Sequence, residues 1–411
     1  MQPSTDMVFA DQSIRFTHEV ISARTVAQFS VLRGPWIALA GDSGDSSLCD
    51  GYDYCELAAS KAFSRHQSVD VLLVREHGNL VALWPFVIER RGPLRIARRP
   101  TSGLREEYCR PLVRRGAGDG VWLAIAAALR QLNADAVEIK WVCAGTPLFS
   151  ALEAVPQTQL QRMLPAGLRG HPGYLISVCD AATFEAFEKD ALSPKLRESL
   201  RRHRRRLERH GKVEFGCSET KDETVRLIEW IFDQKRAWAN ARSISNESLD
   251  NDRTKAFFCE LAARLDLTTH PLVAVTKLNG TPVAASLNTV GLRTLEGGIT
   301  TYDPAYGECG VGALHLHDLL RWVHARKLDF DFRPVHFDYK QRWATHRTWH
   351  ETQLVVLTLR GRLLELTHVH TFAKAVRSKL RREWQRRMNE TAGKPQKTVQ
   401  RPTSAEMGER S

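Results

Sequence analysis

The chain has no run of about eighteen apolar residues, so no membrane-spanning helix is predicted. Its opening residues, MQPSTDMVFADQSIRF, lack a basic stretch followed by an apolar one, and no secretory leader is expected. The eight cysteines, at 49, 55, 109, 143, 179, 217, 259 and 309, form no C-x-x-C pair. That spacing excludes a zinc ribbon and predicts reduced thiols in a cytoplasmic protein. No G-x-S-x-G segment occurs, so a serine nucleophile on a strand-to-helix elbow is not signalled. His346/His350, His315/His317 and His368/His370 have ligand-like spacings but no third Cys or acidic partner at a recognised offset. No metal is expected. His66 and Asp70 form an H-x-x-x-D, which a chain with 15 histidines produces by chance.

What is present is an ordinary globular balance of 43% hydrophobic and 26% charged residues over 411 positions. At ~100–200 residues per domain this is two to three domains. The net charge of +12 is local: residues 194–210 carry eight Lys/Arg against two Glu, and residues 372–388 carry seven against one. Each stretch accounts for +6, and the remaining body is neutral. Two basic helices on a neutral body predict local phosphate or membrane contacts; a nucleic-acid partner is not expected.

An internal repeat organises the rest. LLVREHGNLVALW (72–84) and VAVTKLNGTPVAASL (273–287) both read as strand, turn, strand. Gly78, Val81 and Ala82 align with Gly280, Val283 and Ala284 at a spacing of 202. Each hairpin is followed by a Gly-rich loop, a helix and another strand: GAGDG (116–120), a helix near 121–132 and AVEIKWV in the first half; GECGVG (307–312), a helix near 313–326 and LDFDF in the second. Alternating strands and helices predict an α/β (α+β) architecture in two similar halves.

Between the halves, Ser193 and Pro194 open a helix that Gly211 closes, with Leu196, Leu200, His203 and Leu207 on one face and arginine on the other. That arginine face reads as a phosphate clamp, a solvated surface or an RNA stripe; it lacks the interleaved aromatics that base stacking uses. A second helix spans about 222–240 and carries Lys235-Arg236. Residues 372–388 place Phe372, Val376, Leu380, Trp384 and Met388 at steps of four between basic residues. Such a helix either docks on the body or meets an anionic membrane surface or partner groove. Beyond Asn389 the polar composition predicts disorder.

This order of features resembles the CelD/BcsL-type acetyltransferases, a bacterial branch of the GNAT superfamily. The resemblance covers about residues 50–350. It rests on the basic S-x-K-x-R helix ending in Leu-Glu-Arg-His-Gly, the Lys235-Arg236 segment, the hairpin LNGTPVAASL, the segment TTYDPAYGECGVGAL and the closing DFDF…DYKQRW. It implies two tandem GNAT-like domains, 1–180 and 181–368, each a mixed, mostly antiparallel sheet flanked by helices, followed by a basic helix and tail over 369–411. It further implies acetyl-CoA or another acyl-CoA as co-substrate and a saccharide or other polar small molecule as acceptor. Contact with polysaccharide-synthesis machinery or the inner membrane surface would run through 372–388.

A pyrophosphate is best held by a Gly-rich turn opening a helix. Gly310-Val311-Gly312-Ala313 fills the glycine places of the GNAT signature Q/R-x-x-G-x-G/A, although Gly307 stands where Gln or Arg is expected and Val311 replaces the family's proline. Acyl transfer also needs a base, an acid for the thiolate and donors near the thioester oxygen. The candidates are His336 or Asp338 as base, Tyr339 as acid and Lys340 as electrostatic stabiliser, with Tyr339-Lys340 matching the family's closing motif. Asp329 and Asp331 belong to the same polar cluster, but an alternating strand facing solvent explains them as well. Arg197, Arg201, Lys235 and Tyr302 are the candidate substrate contacts. Two alternatives stand beside this reading: a Fem-like transferase using aminoacyl-tRNA, and a degenerate GNAT scaffold without catalysis.

Overall fold

Period-two apolar runs ending at His-Gly or Asn-Gly fold as hairpins, and both predicted hairpins form. The computed structural model describes residues 16–104, 106–155, 170–243 and 247–364. Residues 372–388, and the helix expected there, lie outside the described residues. Those up to Gly361 form one compact unit, and beyond it only Arg362–Leu364 are described.

The strands are β1 (Phe16–Ala23), β2 (Ser68–Glu76), β3 (Asn79–Arg91), β4 (Leu94–Arg98), β5 (Leu112–Val113), β6 (Ala136–Cys143), β7 (Gly170–Ile176), β8 (Val213–Cys217), β9 (Val273–Leu278), β10 (Thr281–Val290), β11 (Thr294–Tyr302), β12 (Asp329–Asp331) and β13 (His346–Val356). They make one sheet in the order β1-β2-β3-β4-β6-β13-β7-β12-β11-β10-β9-β8, with β5 beside β3. The helices that frame the site are α1 (Tyr52–Phe63), α2 (Gly120–Ala128), α3 (Phe184–Ala191), α4 (Pro194–Glu208), α5 (Lys221–Asn240), α6 (Arg253–Ala262), α7 (Val311–Ala325) and α8 (Asp338–Trp343).

The duplication is visible in the backbone. His77 and Gly78 have φ of 50° and 82°, and Asn279 and Gly280 have 50° and 81°, so both hairpins close through two left-handed residues. The β2–β3 register skips Val81, between Val74↔Ala82 and Arg75↔Leu80. The β9–β10 register skips Val283, between Thr276↔Ala284 and Lys277↔Pro282. The same residue of each repeat is therefore the bulged one. In each half a helix then crosses to a parallel strand: α2 joins β4 to β6, and α7 joins β11 to β12.

At the centre the halves exchange strands. β7 pairs with β12, and β13, the last strand among the described residues, pairs with both β6 and β7. One apolar layer lies beneath α1, α5 and α6 and draws on both halves, with Phe29, Trp36, Ile228 and Phe258 fully buried. Burying each such side chain contributes roughly 1.5–3 kcal/mol. The opposite face is covered by α2 in the first half and by α4 and α7 in the second.

Helix α4 begins and ends as its sequence dictates. The Ser193 hydroxyl accepts the Leu196 N–H at 3.3 Å, and Gly211, just past the end, takes φ of 145°. A Cβ on Gly211 would stand 2.1 Å from the Asn279 amide, which itself binds Lys212 N–H at 2.8 Å and His210 C=O at 3.2 Å. Gly211→Ala is therefore expected to lower stability by about 1–3 kcal/mol, read from urea unfolding.

Candidate active site

Parallel strands β11 and β12 stay together for only three pairs, Thr294↔Asp329, Leu295↔Phe330 and Glu296↔Asp331. Beyond them the Phe332 N–H is donated to Tyr174 C=O of β7 at 3.0 Å, while β11 remains paired with β10 as far as Tyr302. The two strands thus part, and residues 297–302 of β11 present an open edge about 20 Å long at ~3.3 Å per residue. At the far end of that edge the chain turns through residues 303–310 into α7. Gly310 caps the helix with φ of 61°. The Gly310 and Ala313 N–H groups are donated at 3.0 Å to the Gly307 and Gly310 carbonyls, which leaves those of Val311 and Gly312 at the positive pole of α7.

The four glycine-loop candidates, Gly310, Val311, Gly312 and Ala313, therefore form the start of α7. A Cβ on Gly310 would lie 2.6 Å from the His203 ring, and one on Gly312 would lie 3.1 Å from the Tyr302 ring. Arginine helix α4 lies alongside: Arg206 donates to the Glu308 carbonyl at 3.1 Å and to its carboxylate at 2.6 Å, and Arg204 pairs with Asp318 of α7. The residues brought against the loop are His203 and Arg206. Arg197 and Arg201 lie nearer the start of α4; Arg201 is exposed, and Arg197 Nε is buried with no partner among the described residues. Lys235 of α5 donates to the Thr300 carbonyl at 3.2 Å and lies over the Trp238 ring. It and the half-exposed Tyr302 both sit at the open edge of β11.

Beyond β12 the backbone makes a tight turn in which Arg333 and Val335 have φ of 61° and 86°. Left-handed geometry at valine is strained, and it is held from outside. The Lys340 ammonium is buried and donates to the carbonyls of Phe332 at 2.8 Å and of Arg333 and Pro334 at 3.4 Å. Burial pushes its pKa down to about 8. With its donors directed at backbone carbonyls, Lys340 acts in this geometry as a clamp on the turn. Lys340→Met leaves those carbonyls without a donor and is expected to cost about 2–4 kcal/mol, seen as a lower melting temperature.

His336 lies between two partners: the Tyr174 hydroxyl is 2.5 Å from Nδ1, and Asp338 Oδ1 is 3.2 Å from Nε2. Asp338 is almost fully exposed, at 96%. The Tyr339 ring packs edge-on against Phe332, and burial pushes its phenol up to about 12. Asp329 is absorbed by structure, since its carboxylate accepts the N–H groups of Val178 at 2.8 Å and Cys179 at 3.1 Å.

Asp331 is only partly exposed. It points at the first half, where Tyr108 O–H donates to its Oδ2 at 2.7 Å, while its Oδ1 accepts the Arg333 N–H at 2.6 Å. Its strand neighbour Glu296 takes Arg110 at 2.9 Å and Arg333 at 3.0 Å. Burial alone would raise Glu296, but the two guanidinium groups outweigh it and hold the carboxylate below its usual range. For Asp331, burial and then the Glu296 charge win, and its pKa rises to about 6. Arg110 continues to Asp50 at 2.9 Å, and the Arg99 guanidinium lies 3.5 Å from the same carboxylate. None of Asp50, Arg99, Tyr108, Arg110, Glu296 or Arg333 is marked by a motif. The only sequence signal is an unusually charged loop, Arg99–Arg110, following a short strand.

Among the described residues the first half shows no equivalent split between its parallel strands. β4 ends at Arg98, at its last pair with β6. A Cβ on Gly120, at the start of α2, would meet the Phe16 ring at 3.0 Å, and Asp119 places a negative charge at that helix start.

Residues 194–341 match the family model described as an acetyltransferase (GNAT) domain. None of the curated proteins matches the sequence. Among solved structures the chain is similar to the crystal structure of FemX, with a TM-score of 0.58 at 8% identity over 81% of this chain and 98% of that one. It is also similar to L-PGS from Bacillus licheniformis, with a TM-score of 0.46 at 13% identity over 82% and 96%. A tandem GNAT protein from the clavulanic acid biosynthesis pathway gives 0.38 at 13% identity over 83% and 99%. At such identity the FemX likeness bears on the fold alone. Residues 194–341 of this chain are therefore a GNAT-type acyltransferase domain, set within a larger mixed α/β fold.

Proposed function

We propose that the second half transfers an acyl group from acyl-CoA directly to a hydroxyl or amine of a polar, saccharide-like acceptor. The observation that carries this reading is the split between β11 and β12, which opens toward the N-terminus of α7. An anion at residues 310–313 meets the N–H groups of Val311 and Gly312 and the positive helix pole. The open edge of β11 offers backbone groups to the amides of an extended pantetheine arm, as any unpaired strand edge does. The thioester then reaches the closed end of the split, beside Glu296 and Asp331. Tyr339 stands by as proton donor to the leaving thiolate, and His203 and Arg206 flank the phosphate end. The acceptor enters from the side shared with the first half, past Lys235 and Tyr302. Polysaccharide modification, a cytoplasmic setting and contact with the inner membrane surface through 372–388 belong to the same proposal. Among the described residues no helix is long and apolar enough to cross a membrane.

The test is release of free thiol from acetyl-CoA in the presence of glucosamine, glucose or cello-oligosaccharides, with the product identified by mass spectrometry. Acceptor-dependent thiol release with an acetylated product is expected. Product formed from an aminoacyl-tRNA and not from acyl-CoA would replace this reading with Fem-like transfer, and no transfer from either donor would leave a non-catalytic scaffold.

A further inference from the structure

The two halves differ sharply at one equivalent position. In the first, the last pair of the parallel ladder is Arg98↔Glu138, closed by an ion pair in which Nε at 3.0 Å and Nη2 at 2.5 Å both donate to Glu138 Oε2. In the second, the last pair is Glu296↔Asp331, two carboxylates on neighbouring strands exactly where the strands part. Adjacent carboxylates repel, and a fold that needed only closure there has the first half's solution available. Instead one of the two is neutralised by arginines and the other is left to titrate, which is how acid–base pairs are separated in role.

The device that does this comes from the other half. Tyr108 holds one oxygen of Asp331, and Arg110 holds Glu296, both from the loop that follows β4. That loop is fixed by the buried Glu107, which accepts from the hydroxyls of Tyr54, Thr101 and Ser102. Asp50 fixes Arg110 at 2.9 Å, and the Tyr108 ring stacks against His350 of β13 at 5.3 Å. Among the described residues each Asp331 oxygen accepts one hydrogen bond and retains a lone pair for a substrate proton.

We infer that Asp331 is the general base of the transfer and that the first half of the chain positions it, through Tyr108 on its carboxylate and Arg110 on the neighbouring Glu296. The inference rests on the donor site proposed above. In the step itself the acceptor's O–H or N–H proton passes to Asp331 as its oxygen or nitrogen bonds to the thioester carbonyl carbon. The C–S bond then breaks, and the CoA thiolate takes a proton from Tyr339, which solvent reprotonates. The charged and titratable groups around Asp331 are Glu296 on β11, Tyr108 from the first half, Arg333 on its own segment, Lys340 on α8 and Cys143 at the end of β6.

The experiment uses water as probe acceptor and follows thiol release from acetyl-CoA by the full chain across pH 5–9, with acetyl-CoA binding measured separately by calorimetry. The wild-type rate is expected to rise with a midpoint near 6, the value to which burial and Glu296 raise Asp331. Asp331→Asn is expected to lose about 100-fold or more at every pH while binding acetyl-CoA as before. Tyr108→Phe removes a hydrogen bond that favours the charged carboxylate, so its acid limb moves to higher pH. A merely structural tyrosine would lower the rate evenly and leave the limb in place. Wild-type activity in Asp331→Asn, an unmoved limb in Tyr108→Phe, or no thiol release by wild type that binds acetyl-CoA overturns the inference. Failure of the wild type to bind acetyl-CoA overturns the donor site instead.

Discussion

Arg333→Met is expected to destabilise the protein by about 3–5 kcal/mol, the largest loss of any single substitution considered. Arg333 and Glu296 are each only 2% exposed, and their contact at 3.0 Å ties β11 to the turn after β12. The same guanidinium group donates to the Thr289 hydroxyl at 2.8 Å. Methionine fills much of the same volume, so the loss comes from leaving a buried carboxylate with Arg110 alone rather than from a cavity. Glu296, lowered by its two arginines, would lose one of them and move toward the ordinary carboxylate range. Urea unfolding at pH 7 measures the effect. The double substitution Arg333→Met with Glu296→Gln should recover part of the loss, because no unpaired charge then remains. A shift below about 1 kcal/mol would mean that the junction is wetter than its geometry indicates.

Gly312→Glu is expected to weaken acetyl-CoA binding by at least about 100-fold, or ~2.8 kcal/mol at 1.4 kcal/mol per tenfold. A Cβ at this position already meets the Tyr302 ring at 3.1 Å, so the longer side chain must turn toward the helix start. There its carboxylate takes the N–H groups that a phosphate would use and repels the phosphate itself. A carboxylate in the first turn is compatible with helix formation, so the melting temperature should change little. Equal melting with lost binding separates a blocked site from a damaged fold.

The parts legible in the sequence are those written locally. His77-Gly78 and Asn279-Gly280 encode their turns, Ser193, Pro194 and Gly211 encode both ends of α4, and Gly310 encodes the left-handed entry to α7. The equivalence of Val81 and Val283, read from a spacing of 202, reappears as the same bulge in both hairpins. The exchange of β7 and β13 was not legible, because strand pairing depends on partners more than a hundred residues away. Asp331 shows why the polar site was harder still. On a three-residue strand its alternation predicts exposure, and only the arrival of Tyr108 from the other half partly buries that face. The loop carrying Tyr108 and Arg110 has no period or motif, and its charges acquire meaning only once Asp50 and Glu296 are placed beside them. Lys340 belongs to a motif, yet what the motif encodes in space is a clamp on the carbonyls of Phe332, Arg333 and Pro334.

The central claim is that one acyl-CoA binds per chain, in the split of the second half. Calorimetric titration of the wild type with acetyl-CoA, repeated on Gly312→Glu, tests it most directly. A single site of micromolar affinity, lost in the variant, is the predicted result. No heat with acetyl-CoA or longer acyl-CoAs, two equivalent sites, or unchanged binding by Gly312→Glu would contradict it.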